Sequence, residues 1–295
     1  MLASMKNAVM RRNQAVVAFV VLATSLSFAQ SQSTPLQQGF VTVPGAKIFY
    51  KDSSGGGVPV IFLHAFTGSA EVWEHQIPAF TRAGYRFIAY DRRSYGRTVA
   101  DAMGPASTGP DDLLALADHL KIEKFHLVGT AGGGFVGVDF AISYPQRLRS
   151  FTLLCSTGGV QDKDYAEATR RMRPDGFEKL PSSFLELSPS YRFANPDGVA
   201  RWSEFEKKNR APEDARGPLQ PTKNHVTLAM MEGIKIPTLV IAGDADLYAP
   251  PALMRVIAEH IKGAQFIAFP ESGHSVWWEA PDQFNRAVLT FIVRH

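Results

Sequence analysis

Short apolar runs alternate with longer stretches of helical periodicity along most of the chain. Runs typical of buried strands lie at 58–63, 86–90, 125–128, 151–155, 238–242 and 265–269. Ahead of them, 40–43 and 47–50 alternate apolar and polar residues on either side of Pro44 and Gly45, which is the pattern of a β-hairpin. The pattern therefore predicts a hairpin followed by a series of buried strands.

Helical spacing of apolar residues separates these strands. It occurs at 70–83, 110–120, 133–143, 251–261 and 281–293, and several of these stretches have proline at or near their first position. Alternation of strands and helices predicts an α/β fold with a mostly parallel central sheet and helices on both faces. Ligands of such sheets bind beyond the carboxyl ends of the strands, so we expect the functional residues in the loops that follow them.

The alternation is interrupted at about 156–235, where charged and proline-containing helical pieces replace strands. We interpret this segment as a helical cap inserted over the site. The alternative is a surface elaboration without a catalytic part, because long insertions are usually but not always functional.

The first 29 residues differ from the rest. Lys6, Arg11 and Arg12 precede an apolar run at 15–29 that ends in a small-x-small cleavage pattern, and we predict a secretory signal peptide at 1–29. An uncleaved anchor is the alternative, but a helix needs about 20 apolar residues to span a bilayer. The mature domain would then be 30–295, exported to the periplasm or beyond, with no stable membrane insertion after cleavage.

Charge and cysteine content exclude several function classes. Cleavage at 29 removes three basic residues and no acidic residue, so the formal net charge of +3 falls to zero. A neutral domain has no basic excess for nucleic acid or acidic lipid. Cys155 is the only cysteine, so no intramolecular disulfide forms and no Cys/His metal cluster exists. We expect a small-molecule substrate and no cofactor, and the sequence leaves the oligomeric state open.

The strongest local motif is a glycine-rich turn between a predicted strand and a predicted helix. Gly129, Ala131 and Gly133 resemble the nucleophile elbow G-x-S-x-G of the α/β-hydrolase superfamily, with alanine at the serine position. A phosphate-binding turn is the alternative, but no lysine follows and the dinucleotide spacing G-x-G-x-x-G is not met.

Three further loops resemble the same family. Residues 64–68 resemble its HGxxG oxyanion loop, which implies that the backbone N–H groups of Phe66 and Gly132 bind a developing oxyanion. His64 in this loop is more easily explained as a structural residue than as a catalytic one. The acid loop at 243–250 points to Asp246, with Asp244 as a turn cap, and the S-G-H loop at 272–274 points to His274.

Four motifs in the order expected for the family span most of the mature chain. The resemblance implies a capped, single-domain α/β-hydrolase in which Asp246 orients His274. Ala131 removes the nucleophile, either naturally or as an engineered substitution, and the retained signal peptide and absent tag favour a natural alanine. Thr130 and Cys155 are weak substitutes, because the first should point away from the pocket and the second is typical of a small buried hydrophobe.

The expected function is therefore an exported small-molecule hydrolase acting on an ester, lactone or C–C bond through a His–Asp dyad and a backbone oxyanion hole. Two alternatives stay open: a cofactor-free lyase on the same site, and a catalytically silent protein that binds a small apolar ligand. Trp277 and Tyr191 are candidate substrate-binding residues, with Phe66 and Trp278 as further candidates for the pocket wall, although aromatic residues at such positions often only pack.

Overall fold

The computed structural model describes residues 36–217 and 220–295, so the predicted signal peptide lies outside the described residues. One sheet of nine strands runs through the described part of the chain. The strands are β1 (Gln37–Val43), β2 (Ala46–Asp52), β3 (Pro59–Leu63), β4 (Arg86–Tyr90), β5 (Val99–Ala100), β6 (Phe125–Thr130), β7 (Leu148–Leu154), β8 (Thr238–Gly243) and β9 (Gln265–Phe269).

The sheet order is β1-β2-β4-β3-β6-β7-β8-β9, with β5 paired to β2. The hairpin β1–β2 is antiparallel and so is its contact with β4, whereas every pairing from β4 through β9 is parallel. The predicted mostly parallel sheet is confirmed. Its parallel part brings the loops after β3, β6, β7, β8 and β9 to one edge.

Helices cover the sheet. They are α1 (Gln76–Arg82), α2 (Gly109–His119), α3 (Gly132–Ser143), α4 (Lys163–Arg171), α5 (Ser182–Glu186), α6 (Pro189–Ala194), α7 (Pro196–Lys208), α8 (Leu228–Met231), α9 (Pro251–His260), α10 (Val276–Glu279) and α11 (Pro281–Ile292). Short 3₁₀ turns lie at Ala70–Trp73, Pro145–Arg147, Phe177–Lys179 and Glu213–Ala215.

Consecutive strand residues face opposite cores, which explains why the parallel strands are apolar throughout. On β3, Ile61 belongs to a cluster that includes residues of α2, α3 and α9, while Phe62 belongs to a second cluster with α1 and α11. Both residues have no exposed surface. Side chains alternate between the two faces of a strand, so both faces must be apolar when helices cover both.

The predicted helix at 70–83 is divided. A 3₁₀ turn covers Ala70–Trp73 and α1 begins only at Gln76. Pro78 has no backbone N–H to donate and would break the interior of one continuous helix, whereas the first turn of α1 accommodates it.

The chain between β7 and β8 forms α4 to α8 without contributing a strand to the sheet in the part that the structure describes. We call residues 156–235 the helical insertion. Its side chains reach the loops at the carboxyl edge of the sheet: Asn209 donates to the carbonyl oxygen of Phe66 at 2.9 Å, and the Trp202 indole donates to Ser275 Oγ at 3.2 Å. Among the described helices none is long and apolar enough to cross a membrane.

Candidate active site

Ala131 occupies the sharp turn between β6 and α3, with φ +48° and ψ −117°. Residues other than glycine rarely adopt these backbone angles. The turn also requires its flanking glycines, because a Cβ on Gly133 would lie 2.3 Å from the carbonyl oxygen of Leu63, and one on Gly129 would lie 2.7 Å from the carbonyl oxygen of Gly133. The elbow is thus fully formed, although it presents a methyl group.

Two hydrogen bonds hold this strained turn in place. The N–H of Ala131 donates to the carbonyl oxygen of Leu154 at 3.1 Å, and Ser156 Oγ donates to the carbonyl oxygen of Ala131 at 2.6 Å. Backbone strain persists only where the surrounding structure over-determines it. Both bonds come from β7 and the loop that follows it, so the neighbouring strand fixes the elbow.

Asp246 and His274 come from the loops after β8 and β9 and form a buried pair. His274 Nδ1 lies 2.9 Å and 2.8 Å from the two carboxylate oxygens of Asp246. Asp246 Oδ1 also accepts from the backbone N–H groups of Tyr248 and Ala249 at 2.7 and 2.9 Å. These donors fix the carboxylate. Because the carboxylate accepts from Nδ1, the neutral imidazole has its proton on Nδ1 and Nε2 is its basic nitrogen.

Opposing effects act on the pKa of His274. Burial lowers it, but the charge of Asp246, that of Glu186 and the hydrogen bond to Asp246 together raise it to about 9. The ring is 5% exposed, so solvent screens these charges little. His274 therefore has a strong tendency to take up a proton.

The backbone N–H groups of Phe66 and Gly132 make no hydrogen bond to any described residue. Gly132 is the first residue of α3, where an N–H has no partner within the helix. The ring of Phe66 covers Gly132, because a Cβ on Gly132 would lie 2.7 Å from two of its carbon atoms. Two available donors beside the elbow are what stabilisation of an oxyanion requires.

His64 has both ring nitrogens engaged in structural bonds. Nδ1 donates to the carbonyl oxygen of Ala65 at 2.7 Å, and Nε2 accepts from the N–H of Arg92 at 3.0 Å. Complete burial and the nearby Arg92 charge place the pKa of His64 well below its ordinary value. The neutral ring braces the oxyanion loop against the turn after β4.

A cavity of about 310 Å³ lies between the carboxyl edge of the sheet and the helical insertion. It brings together Ala131, Gly132, Phe66 and His274, while Asp246 stays buried behind His274. The full lining is Phe66, Thr67, Ala131, Gly132, Phe135, Ser156, Thr157, Arg173, Glu186, Tyr248, Ala249 and His274.

Several lining residues were not expected from the sequence. Glu186 and Arg173 lie within the helical insertion, Ser156 is its first residue, shortly after β7, and Tyr248 lies in the loop after β8. Position in loops after parallel strands is a signal that could have found the last two. For Glu186 the sequence signal is weaker: it is an acidic residue between two leucines, Leu185 and Leu187. Both leucines are buried in the structure.

The structure corrects the prediction of Trp277 and Tyr191 as cavity residues. Trp277 is on α10, is 3% exposed and packs against Trp73 with ring centroids 5.0 Å apart. Tyr191 packs on the same apolar cluster, and its hydroxyl accepts from Asn195 at 3.2 Å. Trp278 also belongs to this cluster. The short helix after His274 turns its aromatic residues into the core, and Phe66 alone among these aromatic candidates lines the cavity.

Thr130 and Cys155 are fully buried and do not line the cavity. Burial raises the pKa of the Cys155 thiol well above its ordinary value, so it remains a thiol rather than a nucleophilic thiolate. Over the described ranges, no cluster of three or more His, Cys, Asp or Glu residues is suited to a metal ion.

The chain is similar in sequence to a known protein family and in fold to several solved structures. A family model described as alpha/beta hydrolase fold matches residues 58–281. The chain is 27% identical over 252 residues to a putative non-heme bromoperoxidase, BpoC, of Mycobacterium tuberculosis, which covers 81% of this chain and 95% of that protein. A thermophilic esterase from Thermogutta terrifontis superposes with TM-score 0.73 and 24% identity, covering 88% of this chain and 98% of its own. Est816, described as an N-acyl homoserine lactone degrading enzyme, superposes with TM-score 0.68 and 26% identity, covering 86% of this chain and 100% of its own.

Proposed function

The chain belongs to the α/β-hydrolase fold family, and from that premise we propose that it is a small-molecule hydrolase that works without an elbow nucleophile. His274 is the general base, Asp246 orients it, and the N–H groups of Phe66 and Gly132 form the oxyanion hole. One observation carries the proposal: a buried imidazole–carboxylate pair and two unoccupied amide donors border one cavity, beside an elbow that has only a methyl group.

The proposed reaction is direct attack by water. His274 Nε2 takes a proton from water as the water oxygen bonds to the substrate carbonyl carbon, and the π electron pair moves to the carbonyl oxygen. Phe66 and Gly132 bind that oxygen through their N–H groups. The pair then returns, the bond to the leaving group breaks, and the proton on His274 passes to the leaving group, so atoms and charge balance.

Expected rates follow from these parts. A general base contributes about 10²- to 10⁴-fold, and one oxyanion donor about 3 kcal/mol of transition-state stabilisation. Enzymes of this type that lose the serine keep roughly 10³- to 10⁴-fold acceleration over water. The substrate should therefore be reactive: an activated ester, a lactone, or a C–C bond next to a carbonyl group.

The cavity limits the size and character of that substrate. Its volume of about 310 Å³ suits a small molecule, and Phe66, Phe135 and Ala131 give it apolar walls. Est816 is described as an N-acyl homoserine lactone degrading enzyme, so a lactone is the first substrate class to test.

A lyase is the second candidate, and the methyl group of Ala131 favours it. Without a nucleophile, His274 can take a proton from a substrate O–H or C–H while the same amides hold the carbonyl oxygen. A silent binding protein is disfavoured by the strained φ of Ala131 and by the intact pair, since a binding pocket needs neither.

We also propose that the protein is exported, on the basis of the sequence pattern at 1–29. N-terminal sequencing of protein recovered from the periplasmic or culture fraction would test it. Mature protein starting near residue 30 is the expected result, and a full-length chain retained in the cytoplasm would exclude the proposal.

The main test measures hydrolysis of p-nitrophenyl acetate, p-nitrophenyl butyrate and a short-chain N-acyl homoserine lactone. The mature protein is compared with His274→Ala and Ala131→Ser at concentrations that reveal slow turnover. Turnover lost in His274→Ala supports hydrolysis without an elbow nucleophile. An inert parent made active by Ala131→Ser would contradict it and indicate an esterase site silenced at one position.

A further inference from the structure

Glu186 is a buried carboxylate that the reaction above does not use. We propose that the helical insertion supplies Glu186 as a positioning residue, which holds a second negative charge near His274, in the same cavity, so that two carboxylates stabilise the protonated imidazole. This inference rests on the proposed function, because it concerns the same general base.

Three hydrogen bonds fix Glu186 between two catalytic loops. Its backbone carbonyl oxygen accepts from the N–H of Ser275 at 3.0 Å, and its Oε2 accepts from Ser275 Oγ at 3.2 Å. Its Oε1 accepts from Thr67 Oγ1 at 3.1 Å. Ser275 directly follows His274, and Thr67 directly follows Phe66, so one side chain connects the base and the oxyanion loop.

Among the described residues, no lysine or arginine forms an ion pair with this carboxylate. Glu186 is 4% exposed. Arg173 lines the same cavity without pairing with it. A buried carboxylate without a cation is costly. The imidazolium of His274 is the cation that can compensate this charge.

The charged and titratable groups around His274 are consistent with this role. Asp246, Glu186 and Glu279 contribute negative charge, and the Tyr248 ring lies 4.7 Å from the imidazole. Burial raises the pKa of Glu186, whereas the His274 charge lowers it. The interaction is thus reciprocal: each group favours the charged form of the other.

The consequence for catalysis is direct. When His274 takes a proton from water, its positive charge is stabilised by the carboxylates of both Asp246 and Glu186. In the proposed reaction the base acts without a serine. The raised pKa makes His274 a stronger base in the pH range where it is unprotonated, at and above its midpoint near 9.

The test is an NMR titration of the His274 imidazole in the full mature protein, compared with Glu186→Gln, Glu186→Asp and Glu279→Gln. Glu279 is the matched control: it is a nearby, partly buried carboxylate that accepts from the N–H groups of Gly273 and Ser188 but does not line the cavity. The rate profile of kcat/KM against pH is recorded for the same four proteins.

We expect Glu186→Gln to move the titration midpoint of His274 down by roughly one pH unit, the size of effect typical of removing one nearby opposite charge. In Glu186→Asp the midpoint of His274 should stay close to that of the wild type, because the negative charge is kept. In Glu279→Gln the midpoint should fall by less than in Glu186→Gln. An unchanged midpoint in Glu186→Gln, or equal shifts in both glutamine variants, would overturn the inference. The titration needs no substrate, so a protein inert on every ester could still show the shift, and the proposed function alone would then fail.

Discussion

Ser156 donates a hydrogen bond of 2.6 Å to the carbonyl oxygen of Ala131, the residue whose φ of +48° forms the elbow. Ser156 Oγ also accepts from the N–H of Gly158 at 3.2 Å, so one buried hydroxyl connects the elbow to the start of the helical insertion. The backbone geometry of a nucleophile elbow is therefore maintained around an alanine.

Ser156→Ala should weaken this connection. Loss of a buried hydroxyl with two partners should lower the free energy of unfolding by about 1–3 kcal/mol and should reduce turnover, because the amide of Gly132 follows the elbow directly. Urea unfolding and ester hydrolysis measure the two effects. Ser150→Ala is the control, since Ser150 is a buried serine bonded to His126 away from the cavity. Equal loss of turnover in both variants would contradict a local role for Ser156.

The backbone strain at Ala131 predicts a substitution that raises the free energy of unfolding instead of lowering it. Ala131→Gly should raise the free energy of unfolding by about 1 kcal/mol, because glycine accepts this backbone region without the steric cost of a Cβ. Ala115→Gly, inside α2, should lower the same quantity by about 1 kcal/mol. Thermal and urea unfolding of both variants measure the contrast. If both substitutions destabilise alike, the elbow stores no strain that glycine can relieve.

The architecture followed from the sequence because its signals are local. Each parallel strand is a short apolar run, and β4 and β9 have the predicted bounds 86–90 and 265–269. The α/β-hydrolase resemblance also identified the loops that contain Asp246 and His274. The order of these motifs along the chain does not depend on the sequence of the helical insertion. Pairing of Asp246 with His274 then depends only on β8 and β9 being neighbours.

The sequence did not predict the contacts between the helical insertion and the loops at the carboxyl edge of the sheet. Glu186 ends the short helix α5, and a charged residue at a helix end normally faces solvent, so only the three-dimensional path shows it buried against Ser275. The prediction for Trp277 was wrong in the opposite sense: it was expected at the cavity and lies in the core. Spacing alone does not tell which side of the four-residue helix α10 faces the sheet, and an aromatic residue after His274 suggested a pocket wall.

The pH dependence of activity follows from the raised pKa of His274. A general base works only when unprotonated, so kcat/KM should rise about tenfold per pH unit below a midpoint near 9 and level off above it. Initial rates with p-nitrophenyl butyrate from pH 6 to 10, corrected for spontaneous hydrolysis, test this. Activity that falls through the same midpoint would mean that His274 acts in its protonated form, as an acid.

The same pKa predicts how stability changes with pH. The folded state raises the pKa of His274 from 6.5 to about 9, so protonation favours folding, and this contribution is fully present below pH 6.5 and lost as pH rises through 9. Between these limits the contribution is at most about 3 kcal/mol. Urea unfolding at several pH values should therefore show a decline in wild type that His274→Gln lacks. Parallel curves for the two proteins would exclude a coupling of His274 to folding.

The oxyanion loop depends on a contact from the helical insertion. Asn209 Nδ2 donates to the carbonyl oxygen of Phe66 at 2.9 Å, which fixes the peptide that follows the proposed oxyanion donor. Asn209→Ala should lower kcat roughly tenfold, because a small misplacement of an oxyanion donor has a large effect on the transition state, whereas the free energy of unfolding should fall by only about 1 kcal/mol.

Asn224→Ala is the matched control for Asn209→Ala, since Asn224 also lies in the insertion and donates to Asp139 and Ser143 away from the cavity. Rates measured at saturating substrate separate an effect on kcat from one on binding. A tenfold loss confined to Asn209→Ala would mean that the insertion sets the geometry of the oxyanion hole, because the variant changes no group that touches substrate. Equal, small losses in both variants would mean that the loop after β3 holds Phe66 without help from the insertion.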